Sequence, residues 1–96
     1  MNVLVAYDVA TSTPEGERRL RHIAKICEDF GQRVQYSVFE CVLGETQWVT
    51  FRHRLLSEMK ADEDSLRFYM IPGRFADSTE THGRDRRIDF EGPLIV

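Results

Sequence analysis

Cysteine is scarce in this chain: its 96 residues include only Cys27 and Cys41, and no CxxC pair. Two such residues cannot build a disulfide framework, and no thiol stands at metal-ligand spacing. Cys27 falls inside a helical pattern and Cys41 inside a strand pattern, so both read as buried, reduced thiols. Histidine is equally uninformative. His22, His53 and His82 are scattered, with no HxH or HxxxH, which argues against a histidine-based metal centre. No glycine-rich phosphate loop follows a strand, and Ser37 and Ser65 lack the histidine and acid that would activate a serine nucleophile. Long apolar runs are missing too. The opening MNVLVAYDVA has no basic residues ahead of it and is interrupted at Asp8, so neither an export signal nor a membrane span is expected. The expected location is the cytoplasm, with no membrane partner. Positive charge is not in excess: 13 Lys+Arg against 16 Asp+Glu leave a net charge of −3. Any contact with nucleic acid therefore needs its cations concentrated on one face.

What is present is a globular composition, 42% hydrophobic and 30% charged, at a length that suits one domain. A core of this size is modest, which favours burying further surface in a partner or a second copy. Asn2 to Tyr7 is β-rich and nearly all apolar, as for an interior strand buried on both faces. Ser12 or Thr13, then Pro14, Glu15 and Glu17, have the chemistry of a helix start. Leu20, Ile23, Ala24, Cys27 and Phe30 continue at three- and four-residue steps, and Gly31 is placed to end the helix in the left-handed conformation. Arg33 to Leu43 reads as β with a break at Tyr36-Ser37. A second helical pattern runs from about Glu45 to Met59, with Trp48, Phe51, Leu55, Leu56 and Met59 on one side. A charged turn covers Lys60 to Asp64. Ser65 to Ile71 alternates as a half-buried strand and stops at Pro72-Gly73.

The order β-α-β-β-α-β predicts an α+β ferredoxin-like sandwich over residues 1–71, with two helices on one face of a four-stranded antiparallel sheet. Such a fold leaves the other sheet face bare, and a second copy, as a two-fold homodimer through that face, is the simplest cover. Residues 72–96 form a C-terminal tail in which Arg74, Arg84, Arg86 and Arg87 are offset by Asp77, Glu80, Asp85, Asp89 and Glu91. The tail ends in Leu94, Ile95 and Val96, a short apolar segment suited to docking as an added strand on a sheet edge.

Two features carry candidate chemistry. Asp8 sits at the end of the first strand, where a carboxylate can hold a hard cation such as Mg²⁺ or simply start a turn. One carboxylate is a poor metal site by itself, but a two-fold axis can bring two copies together. Arg18, Arg19, Arg21 and Lys25 on the first helix, with Arg33, can either track phosphates or form a solvated face with local ion pairs.

Tyr7-Asp8, the block Arg33-Val34-Gln35-Tyr36-Ser37-Val38-Phe39-Glu40 after Gly31, the arginine-rich first helix with Ala24-Lys25, and Asp64-Ser65-Leu66-Arg67 together resemble the CRISPR-associated Cas2 family. The resemblance extends over nearly the whole chain, and the ending Glu91-Gly92-Pro93-Leu94-Ile95-Val96 is similar to the type I-C branch. It implies a ferredoxin-like homodimer in which the two Asp8 residues face each other and share a Mg²⁺ ion. It also implies a metal-dependent endonuclease on RNA or duplex DNA, with Asp8, Arg33 and Phe39 in catalytic positions. A second implied role is not enzymatic: a dimer that bridges two dimers of the Cas1 integrase and holds prespacer DNA for integration. Outside the family, the fold alone also permits a small-ligand or regulatory binding domain.

Overall fold

The computed structural model describes residues 1–84. The elements follow the expected order: β1 (Asn2–Asp8), α1 (Pro14–Phe30), β2 (Gln32–Gln35), β3 (Val38–Val42), α2 (Glu45–Glu58), β4 (Ser65–Ile71) and one further helical turn, α3 (Phe75–Ser78). The four strands form one antiparallel sheet in the order β2-β3-β1-β4. This is the ferredoxin-like arrangement, with β1 in the interior. The docking strand expected at Leu94, Ile95 and Val96 lies outside the described residues.

Local chemistry explains the element boundaries. Thr13 caps α1, its hydroxyl accepting from the Gly16 amide at 3.1 Å, and Pro14 occupies the first turn. The Gln47 side chain accepts from the Gly44 amide at 2.8 Å at the start of α2. The expected break at Tyr36-Ser37 is the turn between β2 and β3. Gly73, at φ +74°, lets the chain turn sharply after β4.

The core lies between the helices and one sheet face. Val3, Val5 and Tyr7 of β1 and Phe39 and Cys41 of β3 pack against Ile23, Ile26 and Cys27 of α1 and Phe51 and Leu55 of α2. Three expectations need correction. β1 is not buried on both faces. Its odd positions are buried, while Asn2, Leu4 and Ala6 are only half-buried on the side without helices. Leu56 does not join the core stripe of α2 and is exposed, although Trp48 and Met59 pack against the core. Gly31 is extended at φ −156°, not left-handed. Its glycine has another cause: a Cβ there would come within 2.3 Å of Cys41 Sγ and 2.7 Å of the Glu40 carbonyl oxygen, so the chain passes against β3 where no side chain fits.

Candidate functional site

Antiparallel register decides what shares a face with Asp8. On β1, Asn2, Leu4, Ala6 and Asp8 alternate with the buried Val3, Val5 and Tyr7, so Asp8 ends the row on the open face. Asp8 is opposite Ser65. Ala6 is opposite Val38 and Arg67, Leu4 opposite Glu40 and Tyr69, and Asn2 opposite Val42 and Ile71. The open face therefore carries apolar side chains (Leu4, Ala6, Val38, Val42, Tyr69 and Ile71) interrupted by Asn2, Glu40 and Arg67, with Asp8 and Ser65 at one end. Val42 is 71% exposed and Tyr69 41%. Among the described residues, Asp8 is exposed and its carboxylate has no side-chain hydrogen bond or ion pair. Arg67, two residues beyond Ser65, donates to the Tyr69 hydroxyl at 3.0 Å, an interaction that raises its pKa.

Arg33 and Phe39 lie on the other side of the sheet. They are cross-strand partners, and Phe39 is also opposite Val5 of the buried row. The Arg33 guanidinium carbon sits 5.0 Å from the Phe39 ring centroid, and Phe39 stacks on Tyr7 at 6.2 Å. Arg33 also reaches Glu28 at 3.4 Å. Phe39 is 0% exposed. A side chain with no surface cannot touch a substrate, so Phe39 can act only through its neighbours: it supports Tyr7, the residue before Asp8. The structure thus does not gather Asp8, Arg33 and Phe39 at one point within a single chain.

The α1 cations separate as well. Arg18 and Arg21 are exposed, and neither takes part in an ion pair among the described residues. Lys25 is exposed but pairs with Asp29 at 3.0 Å. Arg19 departs from the expected stripe. Its side chain is 14% exposed and turns inward to Asp64, with Nε donating at 2.8 Å and Nη2 at 3.2 Å. The fork-on-carboxylate geometry is charge-assisted, and it takes Arg19 out of the exposed cationic face of α1. The free cationic surface on α1 is carried by Arg18 and Arg21.

Asp64 opens one of the blocks that carry the family resemblance, but sequence reasoning gave it no role. Its side chain is 1% exposed. Besides Arg19, it accepts from the Ala10 amide at 3.1 Å and the Lys60 amide at 2.9 Å. The Arg19 guanidinium, followed by the Lys60 and Ala10 amides, holds its carboxyl below the usual carboxylate range. Spacing and composition do not separate it from Asp62 and Glu63, which precede it in the same charged turn. The two cysteines behave as expected. Both are buried, and burial pushes the Cys27 thiol well up and the Cys41 thiol up to about 12, which leaves them without nucleophilic character.

Two of the grooves on the described surface have clear linings. One, of about 450 Å³, lies among Val34, Gln35, Glu40, Phe75, Thr79 and His82. The other, of about 430 Å³, runs between α1 and α2 along His22, Lys25, His53, Arg54 and Glu58. Neither includes Asp8. Asp8 stands on an open surface, which suits a polymer or a second protein surface better than an enclosed small ligand. No helix among the described residues is long and apolar enough to cross a membrane.

Comparison with known proteins agrees with this geometry. The family described as CRISPR associated protein Cas2 matches residues 1–77. The chain is 53% identical over 96 residues to the CRISPR-associated endoribonuclease Cas2 of Nitratidesulfovibrio vulgaris, covering all of this chain and 94% of that protein. It is 52% identical over 96 residues to the CRISPR-associated endoribonuclease Cas2 of Chlorobaculum tepidum, covering both chains completely. Among solved structures, Streptococcus pyogenes Cas2 at pH 6.5 superimposes with a TM-score of 0.78 at 49% identity, covering 86% of this chain and all of that one. With its sheet order, its open face and its Tyr7-Asp8 strand end, the chain belongs to the CRISPR-associated Cas2 family.

Proposed function

We propose that the protein acts in the cytoplasm as a two-fold homodimer in CRISPR adaptation, bridging dimers of the Cas1 integrase and holding prespacer DNA for insertion. In this reading its paired Asp8 carboxylates also hold a Mg²⁺ ion and support hydrolysis of RNA or DNA phosphodiesters. The observation that carries the reading is Asp8 itself: an exposed carboxylate without an ion-pair partner among the described residues, at the rim of a sheet face whose apolar residues a second copy would cover. The endoribonuclease names of the Nitratidesulfovibrio and Chlorobaculum relatives point to the same chemistry.

The fit to a metal can be tested against the donor set. Among the described residues, no three His, Cys, Asp or Glu side chains gather into a metal cluster within one chain. A single chain therefore offers one carboxylate. Mg²⁺ is commonly bound by one or two carboxylates with several waters retained, so two copies of Asp8 are a sufficient protein contribution. When bound there, such an ion supplies Lewis-acid polarisation and a more acidic water. The chain's own residues do the rest. Arg18 and Arg21 attract and orient phosphates, the apolar residues of the open face exclude water between the two copies, and Asp8 offers oxygen ligands. The tail segment Leu94–Val96 is the proposed docking strand for the integrase.

Asp8→Asn separates the two activities. The expected result is loss of divalent-dependent cleavage of RNA and DNA with spacer acquisition retained. Equal cleavage by purified wild type and variant would remove Asp8 from the mechanism. Deleting residues 92–96 is expected to weaken the integrase complex in a sizing experiment, and unchanged association would remove the tail from the bridge.

A further inference from the structure

Arg19 has the composition of a phosphate contact and the geometry of something else. Its guanidinium is one of three groups that converge on the buried Asp64 carboxylate, and the other two are backbone amides from different loops. Ala10 belongs to the loop that leaves β1, two residues after Asp8. Lys60 belongs to the turn that leads into β4, whose first residue, Ser65, is opposite Asp8. One carboxylate thus ties the chain just after Asp8 to the chain just before its cross-strand neighbour, and Arg19 anchors both to α1.

A second, independent contact acts on the same loop. Gly16, in the first turn of α1, is buried, and a Cβ built on it would lie 2.0 Å from the Ala10 carbonyl oxygen and 3.3 Å from the Thr11 Cα. The Ala10 peptide is therefore held from two sides. Its N–H donates to Asp64, and its C=O presses against a helix that can approach only because residue 16 has no side chain.

We propose that Arg19, Asp64 and Gly16 are positioning residues that clamp the loop after Asp8 and so fix where the Asp8 carboxylate stands, and that Arg19 makes no contact with nucleic acid. The inference rests on the reading of Asp8 as the metal-binding carboxylate. Groups that orient a metal ligand from behind typically affect metal affinity or activity about 10–100-fold. The clamp acts one step further back, through the main chain.

The test compares Arg19→Lys, Asp64→Asn and Gly16→Ala with Arg21→Ala as the phosphate-contact control and Asp8→Asn as the site control, all in the full-length protein. Each is measured for Mn²⁺ affinity, single-stranded RNA binding across a salt series, cleavage, and hydrogen exchange at the Ala10 amide. The expected result for the clamp variants is weaker Mn²⁺ binding, slower cleavage and faster Ala10 exchange, each by about tenfold, with RNA affinity and its salt slope unchanged. Arg21→Ala is expected to do the reverse, lowering the salt slope by about 1. Gly16→Ala is the sharpest arm. Its methyl group would drive into the Ala10 carbonyl and must displace the loop, so faster Ala10 exchange is expected on packing alone. The clamp predicts that weaker Mn²⁺ binding accompanies it at unchanged RNA affinity, and a displaced loop with unchanged Mn²⁺ affinity would overturn the positioning role. A lowered salt slope in Arg19→Lys would overturn the proposal by making Arg19 a phosphate contact. Unchanged Ala10 exchange in Asp64→Asn would overturn it by removing the clamp. If Asp8→Asn binds Mn²⁺ and cleaves like the wild type, the metal reading of Asp8 fails, and with it the consequence for the site. Faster Ala10 exchange in that event still establishes the clamp on the loop.

Discussion

Asp64→Asn changes one atom in a buried carboxylate, and its consequence can be worked out from the contacts. The Ala10 amide and Arg19 Nη2 share one oxygen of Asp64, and the Lys60 amide and Arg19 Nε share the other. An asparagine keeps one oxygen and replaces the other by an NH₂ group. Whichever way the amide turns, one backbone N–H and one guanidinium N–H then face a donor. A buried amide that loses its acceptor costs about 1–3 kcal/mol. For a domain of this size each kcal/mol moves the melting midpoint by roughly 4–8 °C, so the expected fall is on the order of 10 °C. The pH dependence follows separately. The folded-state carboxyl of Asp64 titrates below its usual range, chiefly because of Arg19. Its stabilisation is therefore complete above the unfolded-state pKa, near about 4, and is lost as the pH falls through the lower folded-state value. Thermal unfolding followed by circular dichroism from neutral pH to below pH 4 reads both effects. The variant should melt lower at neutral pH, and its deficit should shrink in acid, where the wild type loses the same contribution. An unchanged midpoint at neutral pH, or a deficit that stays constant into acid, would refute the reasoning.

Other expectations follow from the same contacts. Phe39→Ala leaves a cavity beneath Tyr7 and Arg33 and should destabilise the fold by about 3–5 kcal/mol, read by urea unfolding; a loss of cleavage without a loss of stability would give Phe39 a direct role instead. Gly31→Ala drives a methyl group against Cys41 Sγ and the Glu40 carbonyl and should cost about 1–3 kcal/mol, measured the same way, although alanine is the better helix former. Arg18→Ala combined with Arg21→Ala should lower the slope of log affinity for nucleic acid against log salt by about 2, whereas Lys25→Ala should change it less because Lys25 already pairs with Asp29. A charge on the open face, Val42→Asp, should weaken self-association in sedimentation while leaving the far-ultraviolet spectrum of the fold intact, since Val42 is 71% exposed in the single chain.

The fold was readable because its signals are local and redundant. Thr13-Pro14 marks the start of α1, the three- and four-residue apolar steps mark its inner face, and Tyr36-Ser37 interrupts a stretch too long for one strand. Once the order of six elements is known, the ferredoxin-like arrangement follows. The errors fall where one sequence pattern serves two structures. Leu4 and Ala6 are apolar like Val3 and Val5, so β1 gives no sign that half of its side chains face away from the helices. A glycine after a helix usually signals a left-handed turn, but Gly31 is there because β3 passes too close for a side chain.

The site was half readable for the same kind of reason. Asp8 at a strand end stands out, and the structure leaves it exposed and, among the described residues, without an ion pair. Arg18, Arg19 and Arg21 are indistinguishable in sequence, yet only the middle one turns inward, because a helix rotates successive side chains by about 100° and Arg19 alone meets Asp64. Asp64 is visible as the start of a family-like block, but its buried position is not, because Asp62 and Glu63 are acidic neighbours in the same turn. Its partners come from residues 10, 19 and 60, and contacts so distant in sequence leave no trace in spacing.

The central claim is that two copies of this chain join their open faces and bring two Asp8 carboxylates to one divalent ion. The most direct measurement is the stoichiometry of Mn²⁺ bound to the purified protein, by titration calorimetry or electron paramagnetic resonance, with the assembly state followed by sedimentation. The account predicts one ion per two chains, lost in Asp8→Asn while the dimer persists. One ion per chain, or a site that survives Asp8→Asn, would contradict it.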